Sequence, residues 1–208
     1  MSKFDNQILA VKASKIARTL DSALLGKGFA KFGSTGKYDE IVEQATTGRR
    51  GDLEENPEFK QIIPYLVLQD DQGRILYYTR AVGTGEQRLH HKLSIGVGGH
   101  VEIEDIDDAE ETIMHALKRE VREEIGEGIE ISEPEALGII YRDDTPVDQV
   151  HIGVLFLAQI TSGNIDPDPE AIAEAKLVSP EEFGAMMTSG NYDPETWTKI
   201  AWEYLQQN

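Results

Sequence analysis

An α+β fold is expected of this chain, and three observations point to it. Two strand-like runs joined by a turn begin near Phe59, a single long helical stretch spans Ala109–Ile125, and strand-like runs return after Gly126 before two helix-start signals close the sequence.

Across residues 6–25, Leu9, Ala13, Ile16, Leu20 and Leu24 recur at helical intervals, with Lys12, Lys15 and Arg18 on the other side. An amphipathic helix is expected there, packing its apolar stripe on the protein in preference to a membrane surface. Residues 26–57 are rich in Gly, Thr, Lys and Glu, with short apolar patches such as Ile41-Val42, and read as a partly ordered segment. Residues 1–58 thus form an N-terminal extension, and residues 59–208 the main domain.

Residues 61–68 and 74–80 read as strands, and Asp70-Asp71-Gln72-Gly73 between them is turn chemistry, so a hairpin is expected. Residues 94–97 add a short extended piece that leads into Gly98-Gly99, where glycine lets the backbone approach a ligand. Asp108, with Glu111 three residues on, resembles a capping box opening the long helix. Residues 136–141 and 149–160 are strand candidates, and 175–178 a shorter one. Ser179-Pro180-Glu181-Glu182 is an N-cap, a proline at the first helical position and an acidic first turn. Asp193-Pro194-Glu195 repeats the signal for a terminal helix carrying Trp197, Ile200, Ala201 and Leu205.

Composition narrows the function. With 208 residues, 39% of them hydrophobic, the chain can bury one substantial core. Its net charge of −18 repels a phosphate backbone, and no cluster of Lys and Arg interleaved with aromatics compensates, so nucleic acid is not an expected partner. The absence of cysteine excludes disulfides, thiolate metal sites and a Cys nucleophile. No apolar run suits a signal peptide or a membrane span, so a cytoplasmic location without membrane contact is expected. A second copy of the chain, in a homodimer, is left open as a partner.

The chemistry-bearing stretch is Arg119-Glu120-Val121-Arg122-Glu123-Glu124-Ile125-Gly126. On a helix, Glu120, Glu123 and Glu124 stand at i, i+3 and i+4, so three carboxylates share a face within about one turn. Like charges so placed destabilise a helix by about 0.2–0.5 kcal/mol per pair, and a bound cation cancels that repulsion. Hard oxygen donors of this kind suit Mg²⁺ or Mn²⁺. The alternative is a solvated face laced with ion pairs, such as Arg119 with Glu123.

Together with Gly98-Gly99-His100 and Glu111, this block resembles the signature of the Nudix hydrolase family, and residues 60–65 and 88–100 resemble a branch of Nudix-type predicted phosphoesterases. Two departures stand out: the loop between Gly99 and Glu111 is longer than the usual pattern, and Glu127 occupies a normally apolar position. The insert 102–108 adds carboxylates, which puts the number and preference of metals in question. The resemblance implies an α/β/α sandwich around a mixed sheet, with residues 59–208 as the hydrolase domain behind an N-terminal helical extension. It further implies metal-dependent attack of water on a diphosphate linkage in a nucleoside-diphosphate-type small molecule.

By the same correspondence Glu120, Glu123 and Glu124 hold metal together with the Gly98 carbonyl, and Arg119 orients the glutamates. Glu111 either pairs with Arg119 behind the ligands or only caps the helix. For the catalytic base, Glu123 is favoured over Glu170 and Glu174, which are placed in the loop after the strand at 149–160. Arg80, Arg88, His90, His91 and Lys92 are candidate substrate-binding cations, and His100 is the histidine placed nearest the site. His151, opening a buried strand, reads as a hydrogen-bonded core residue, and His115 is given no role. Tyr77, Tyr78 and Tyr141 are candidates for stacking on a base, with core packing the commoner fate. Isomerase chemistry on the same scaffold is disfavoured because it needs a cysteine. A catalytically inactive module that binds a nucleotide or nucleotide sugar as a sensor is the alternative function, and an acidic Ca²⁺-binding or adaptor role rests on net charge alone.

Overall fold

In the computed structural model, which describes residues 2–19, 28–32, 38–81, 92–170 and 172–207, the chain is α+β. Its strands are β1 (Gln7–Lys12), β2 (Phe29–Lys31), β3 (Thr46–Arg49), β4 (Phe59–Gln69), β5 (Ile75–Arg80), β6 (Lys92–Ser94), β7 (Gly96–Val97), β8 (Glu130–Ile131), β9 (Glu135–Ile140), β10 (His151–Ser162), β11 (Ile172–Val178) and β12 (Asp193–Pro194). Its helices are α1 (Ala13–Thr19), α2 (Asp39–Val42), α3 (Arg50–Leu53), α4 (Ala109–Ile125), α5 (Pro180–Thr188) and α6 (Thr196–Leu205). Two compact units result. One comprises residues 1–65, 98–118 and 136–155, and the other residues 66–97, 119–135 and 156–208.

The first unit corrects the helix expected across residues 6–25. The helix begins only at Ala13, and Gln7–Lys12 is a strand. The reason is tertiary pairing: β1 lies between β3 (Ala10 opposite Thr46) and β4 (Ala10 opposite Gln61), antiparallel to both. Ile8, Leu9, Ala10 and Val11 are all buried, which suits a strand covered on both faces and not a one-sided helix. Leu20 and Leu24 lie outside the described residues. Ile8 also bridges Glu102, and Ile8, Ala10 and Leu53 form a core patch with Phe59 packed on it. In the same unit β2 pairs antiparallel with β9, from Phe29 opposite Ile140.

Lys60 is 1% exposed, an unusual place for an ammonium. Its Nζ donates to the carbonyls of Arg142 (3.0 Å) and Asp148 (2.7 Å) and to the Asp143 carboxylate, and it lies 4.4 Å from the centre of the Tyr141 ring. All three ammonium donors are thereby engaged, so this lysine pins the loop that precedes β10. The buried partner Asp148 accepts from the Thr145 hydroxyl at 2.7 Å, which tightens the same loop.

The second unit contains the expected hairpin. Asp70 organises its turn, its carboxylate accepting from the backbone N–H of Gln72 (3.0 Å) and Arg74 (2.8 Å) and from Arg74 Nε (2.7 Å). Gly73 completes the turn at φ +73°, a conformation that disfavours a side chain. β5 then lies between β11 and β6, antiparallel to each, and β6 runs parallel to β12, so the sheet of this unit is mixed. Tyr77 and Tyr78 are buried within it, which gives both a packing role. α5 starts as expected: Ser179 Oγ accepts from Glu182 N at 3.1 Å, and the Glu182 carboxylate accepts from Ser179 N at 2.9 Å. α6 buries Thr198, Ala201 and Trp202.

Helix α4 is amphipathic, with Ile113, Met114, Leu117, Val121 and Ile125 buried on one side. Asp108 caps it by accepting from Glu111 N at 3.1 Å. The Asp108 N–H goes to Asp107 Oδ1 at 2.9 Å, and the Glu111 carboxylate lies 3.6 Å from His115 Nε2. Among the described residues no helix is long and apolar enough to cross a membrane.

Two outcomes follow from these local contacts. Asp108→Ala removes the cap and is expected to cost about 0.5–2 kcal/mol in a denaturant melt while leaving metal dependence unchanged. For Asp70, burial works against the charge, but hydrogen bonds from Arg74 and Gln72 outweigh it and hold the carboxyl below its usual value of 3.8. A carboxylate depressed in the folded state stabilises above its unfolded pKa and loses that contribution as pH falls through the lower folded value. Asp70→Asn is therefore expected to cost about 1.5–3 kcal/mol at pH 7, with the gap to the parent closing below about pH 4.

Candidate functional site

In the second unit, the C-terminal part of α4 carries the carboxylates. Glu120 and Glu124, one turn apart, are recessed, with side chains 12% and 15% exposed, while Glu123 stands outward at 60%. Arg119 serves the first pair of the set: its Nη1 is 2.6 Å from Glu120 Oε1 and 3.6 Å from Glu123 Oε2. Arg80, at the end of β5, serves the third acid, with Nη1 3.7 Å from Glu124 Oε1.

Arg80 is also bound elsewhere. Its Nε donates to Glu195 Oε1 at 2.8 Å and its Nη2 to the Tyr78 hydroxyl at 3.1 Å. Ser94 Oγ donates to the other Glu195 oxygen at 3.0 Å, and Tyr78 in turn donates to the Gly96 carbonyl at 2.6 Å. Burial opposes the Arg80 charge, yet the fields of Tyr78, Glu195 and Glu124 more than offset it, so the guanidinium is held well above its ordinary pKa. Glu195, 7% exposed, was read in the sequence only as a helix start. Its tie to Arg80 spans 115 residues and left no local signal.

Four carboxylates (Glu120, Glu123, Glu124 and Glu195) meet two guanidiniums (Arg80 and Arg119) within these contacts, which leaves two negative charges when all are ionised. Carboxylate oxygens are the ligands that Mg²⁺ and Mn²⁺ take.

The other expected residues have other partners. Lys92 pairs with Asp193, and Glu174, which falls within β11 opposite Thr79 and not in a loop, pairs with Lys176. Glu170 is exposed, its N–H donating to Asp168 Oδ1 at 2.9 Å. Near it, the backbone N–H groups of Asp166 and Asp168 donate to the carbonyls of Ile125 (2.9 Å) and Glu124 (3.3 Å), so this loop caps the C-terminus of α4. Arg88, His90 and His91 lie outside the described residues.

In the first unit, a Cβ at Gly98 would sit 1.9 Å from the Pro64 carbonyl oxygen, so only glycine fits there. Two residues on, His100 meets His151, with the Nε2 atoms 3.4 Å apart and the rings edge to face at 5.4 Å. Glu54 joins them, and the donor atoms of the three lie within 4.8 Å of one another, so the group could hold a metal ion. His151, buried with Nδ1 2.8 Å from the Val147 carbonyl, is the hydrogen-bonded core histidine expected of it and also faces this group, while Glu54, from the segment expected to be partly ordered, carries no expectation of its own.

Comparison with known proteins agrees with the fold. The chain is 33% identical to Protein YmaB of Bacillus subtilis (strain 168) over 172 residues, 78% of this chain and 80% of YmaB. It is similar to the crystal structure of Tm1382, a Nudix hydrolase candidate, at 29% identity and TM-score 0.78, over 96% of this chain and 97% of that one. A MutT NUDIX hydrolase from Burkholderia pseudomallei shares the fold at 19% identity and TM-score 0.53, over 69% of this chain and 96% of its own. The NUDIX domain model matches residues 60–199, and with the glutamate-bearing helix in place this chain belongs to the Nudix family.

Proposed function

We propose that this protein hydrolyses a phosphoric anhydride bond, cleaving the diphosphate linkage of a nucleoside-diphosphate-type small molecule with Mg²⁺ or Mn²⁺. The observation that carries the reading is the arrangement on α4, where Glu120 and Glu124 are recessed, Glu123 stands outward, and Arg119 and Arg80 anchor the acids. Glu120, Glu123 and Glu124 would hold the metal, which when bound stabilises charge on the phosphate oxygens and acidifies water.

The protein's own groups have separable tasks. Arg119 fixes Glu120 and holds Glu123 more loosely, so the first acid is oriented and the second keeps room to move. Glu123 accepts the proton of the attacking water as the new oxygen–phosphorus bond forms and the bridging bond breaks. Glu174 is less suited to that task, because its carboxylate is engaged by Lys176. Arg80 acts by positioning Glu124, since Glu195, Tyr78 and Glu124 engage its three nitrogens. A cation so occupied is poorly placed to clamp substrate phosphate. The division of the chain at Phe59, with catalysis in residues 59–208, belongs to the same proposal.

The test is a panel of nucleoside triphosphates, nucleotide sugars, dinucleoside polyphosphates and ADP-ribose with Mg²⁺ or Mn²⁺, with products separated to show which bond is cut. Turnover of at least one compound is expected, and Glu123→Gln and Glu124→Gln are expected to lower it by about 10²-fold or more with an unchanged melt. Binding of a nucleotide without turnover would favour a sensor instead. Near-parent rates in both variants at saturating metal would remove these acids from the chemistry.

A further inference from the structure

The group Glu54, His100 and His151 shares no residue with the glutamates of α4, and its chemistry is different. Two imidazoles and one carboxylate are the donors of a borderline divalent ion, whereas an all-oxygen set suits Mg²⁺. We propose that these three side chains form a second metal site, selective for a Zn²⁺-class ion, that ties together three separate segments of the first unit.

The geometry of the histidines supports this. His151 Nδ1 lies 2.8 Å from the Val147 carbonyl, a contact that requires the proton on Nδ1 and therefore turns an Nε2 lone pair toward His100. A backbone carbonyl holding the far nitrogen is the usual support of a metal-binding histidine, because it fixes tautomer and ring orientation. Val147 is itself held in place, since the loop that carries it is pinned by buried Lys60 through the carbonyls of Arg142 and Asp148. The support is thus in place before any ion arrives.

Spacing agrees with the same conclusion. Zn–N bonds of about 2.0–2.1 Å in a tetrahedron place two nitrogens roughly 3.3–3.4 Å apart, and the two Nε2 atoms are 3.4 Å apart. For an N–H···N hydrogen bond that separation is long. Glu54 supplies the negative charge, and Arg50 steadies its carboxylate with Nε 3.3 Å from Oε1. Three protein donors leave a fourth position for water or a substrate oxygen, the arrangement of an open zinc site and not a closed structural one.

Each donor comes from a different part of the chain: Glu54 directly follows α3, His100 follows the double glycine, and His151 opens β10. An ion bound to all three binds only the folded unit and so raises its stability by mass action.

The test uses the full chain, stripped with chelator and titrated with Co²⁺ as a spectroscopic stand-in for Zn²⁺, in the parent and in a Glu120→Gln, Glu123→Gln, Glu124→Gln background that disables the other acids. One equivalent of Co²⁺ with visible bands of low coordination number is expected in both. His100→Gln, at a partly exposed position, and His151→Gln should each weaken binding on the order of 10–100-fold or more and abolish the rise in melting midpoint given by Zn²⁺. Circular dichroism checks that both remain folded, and Glu54→Gln replaces either one that does not. Absence of the bands in the parent, or bands and Zn²⁺ stabilisation unchanged in the variants, would overturn the site and leave the two imidazoles sharing a proton.

Discussion

Like charges crowded on one turn of helix are the constraint around which the second unit is arranged. Like charges one turn apart on a helix repel by about 0.2–0.5 kcal/mol per pair, so each recessed carboxylate of α4 is favoured by a nearby cation. The fold supplies one to each side: Arg119 from the helix itself and Arg80 from β5. Arg80 cannot move freely, because Glu195 and Tyr78 hold it and Ser94 and Gly96 hold them in turn. The network therefore neutralises the acids only in part and holds them in place, as the proposed binding of a cation and a polyanion would require.

The first unit meets a different version of the same problem. It buries Lys60 entirely and spends its three donors on one loop, so the loop before β10 is set by a single ammonium. A buried charge left with fewer partners would be strongly destabilising, and this ties the placement of His151 to the identity of residue 60.

Much of this was legible in the sequence where the cause is local. The hairpin follows from Asp70 and Gly73, whose side chain and φ act within a few residues, and α5 follows from Ser179 and Glu182. The capping role of Asp108 was readable for the same reason, but the reciprocal half of the expected box does not form, because the Asp108 N–H goes to Asp107 and not to Glu111. Distant causes were illegible. β1 is a strand because β3 and β4 flank it, and nothing within residues 7–12 reports those partners. Glu195 finds Arg80 from 115 residues away, and His151 finds His100 from 51, so spacing rules with a reach of four residues could detect neither. The spacing of the three glutamates on α4 was legible because a helix alone sets it, although Glu123 stands outward while Glu120 and Glu124 are recessed.

If the α4 glutamates hold the catalytic metal as proposed, metal uptake reports on them with fewer intervening steps than rate does. Electron paramagnetic resonance of free Mn²⁺, titrated against the parent and against the variant with Glu120, Glu123 and Glu124 all changed to Gln, counts the ions each protein takes up. The account predicts that the parent removes Mn²⁺ from solution and that the variant, equally folded, loses this uptake. Equal uptake by the two proteins would contradict it and place the metal elsewhere.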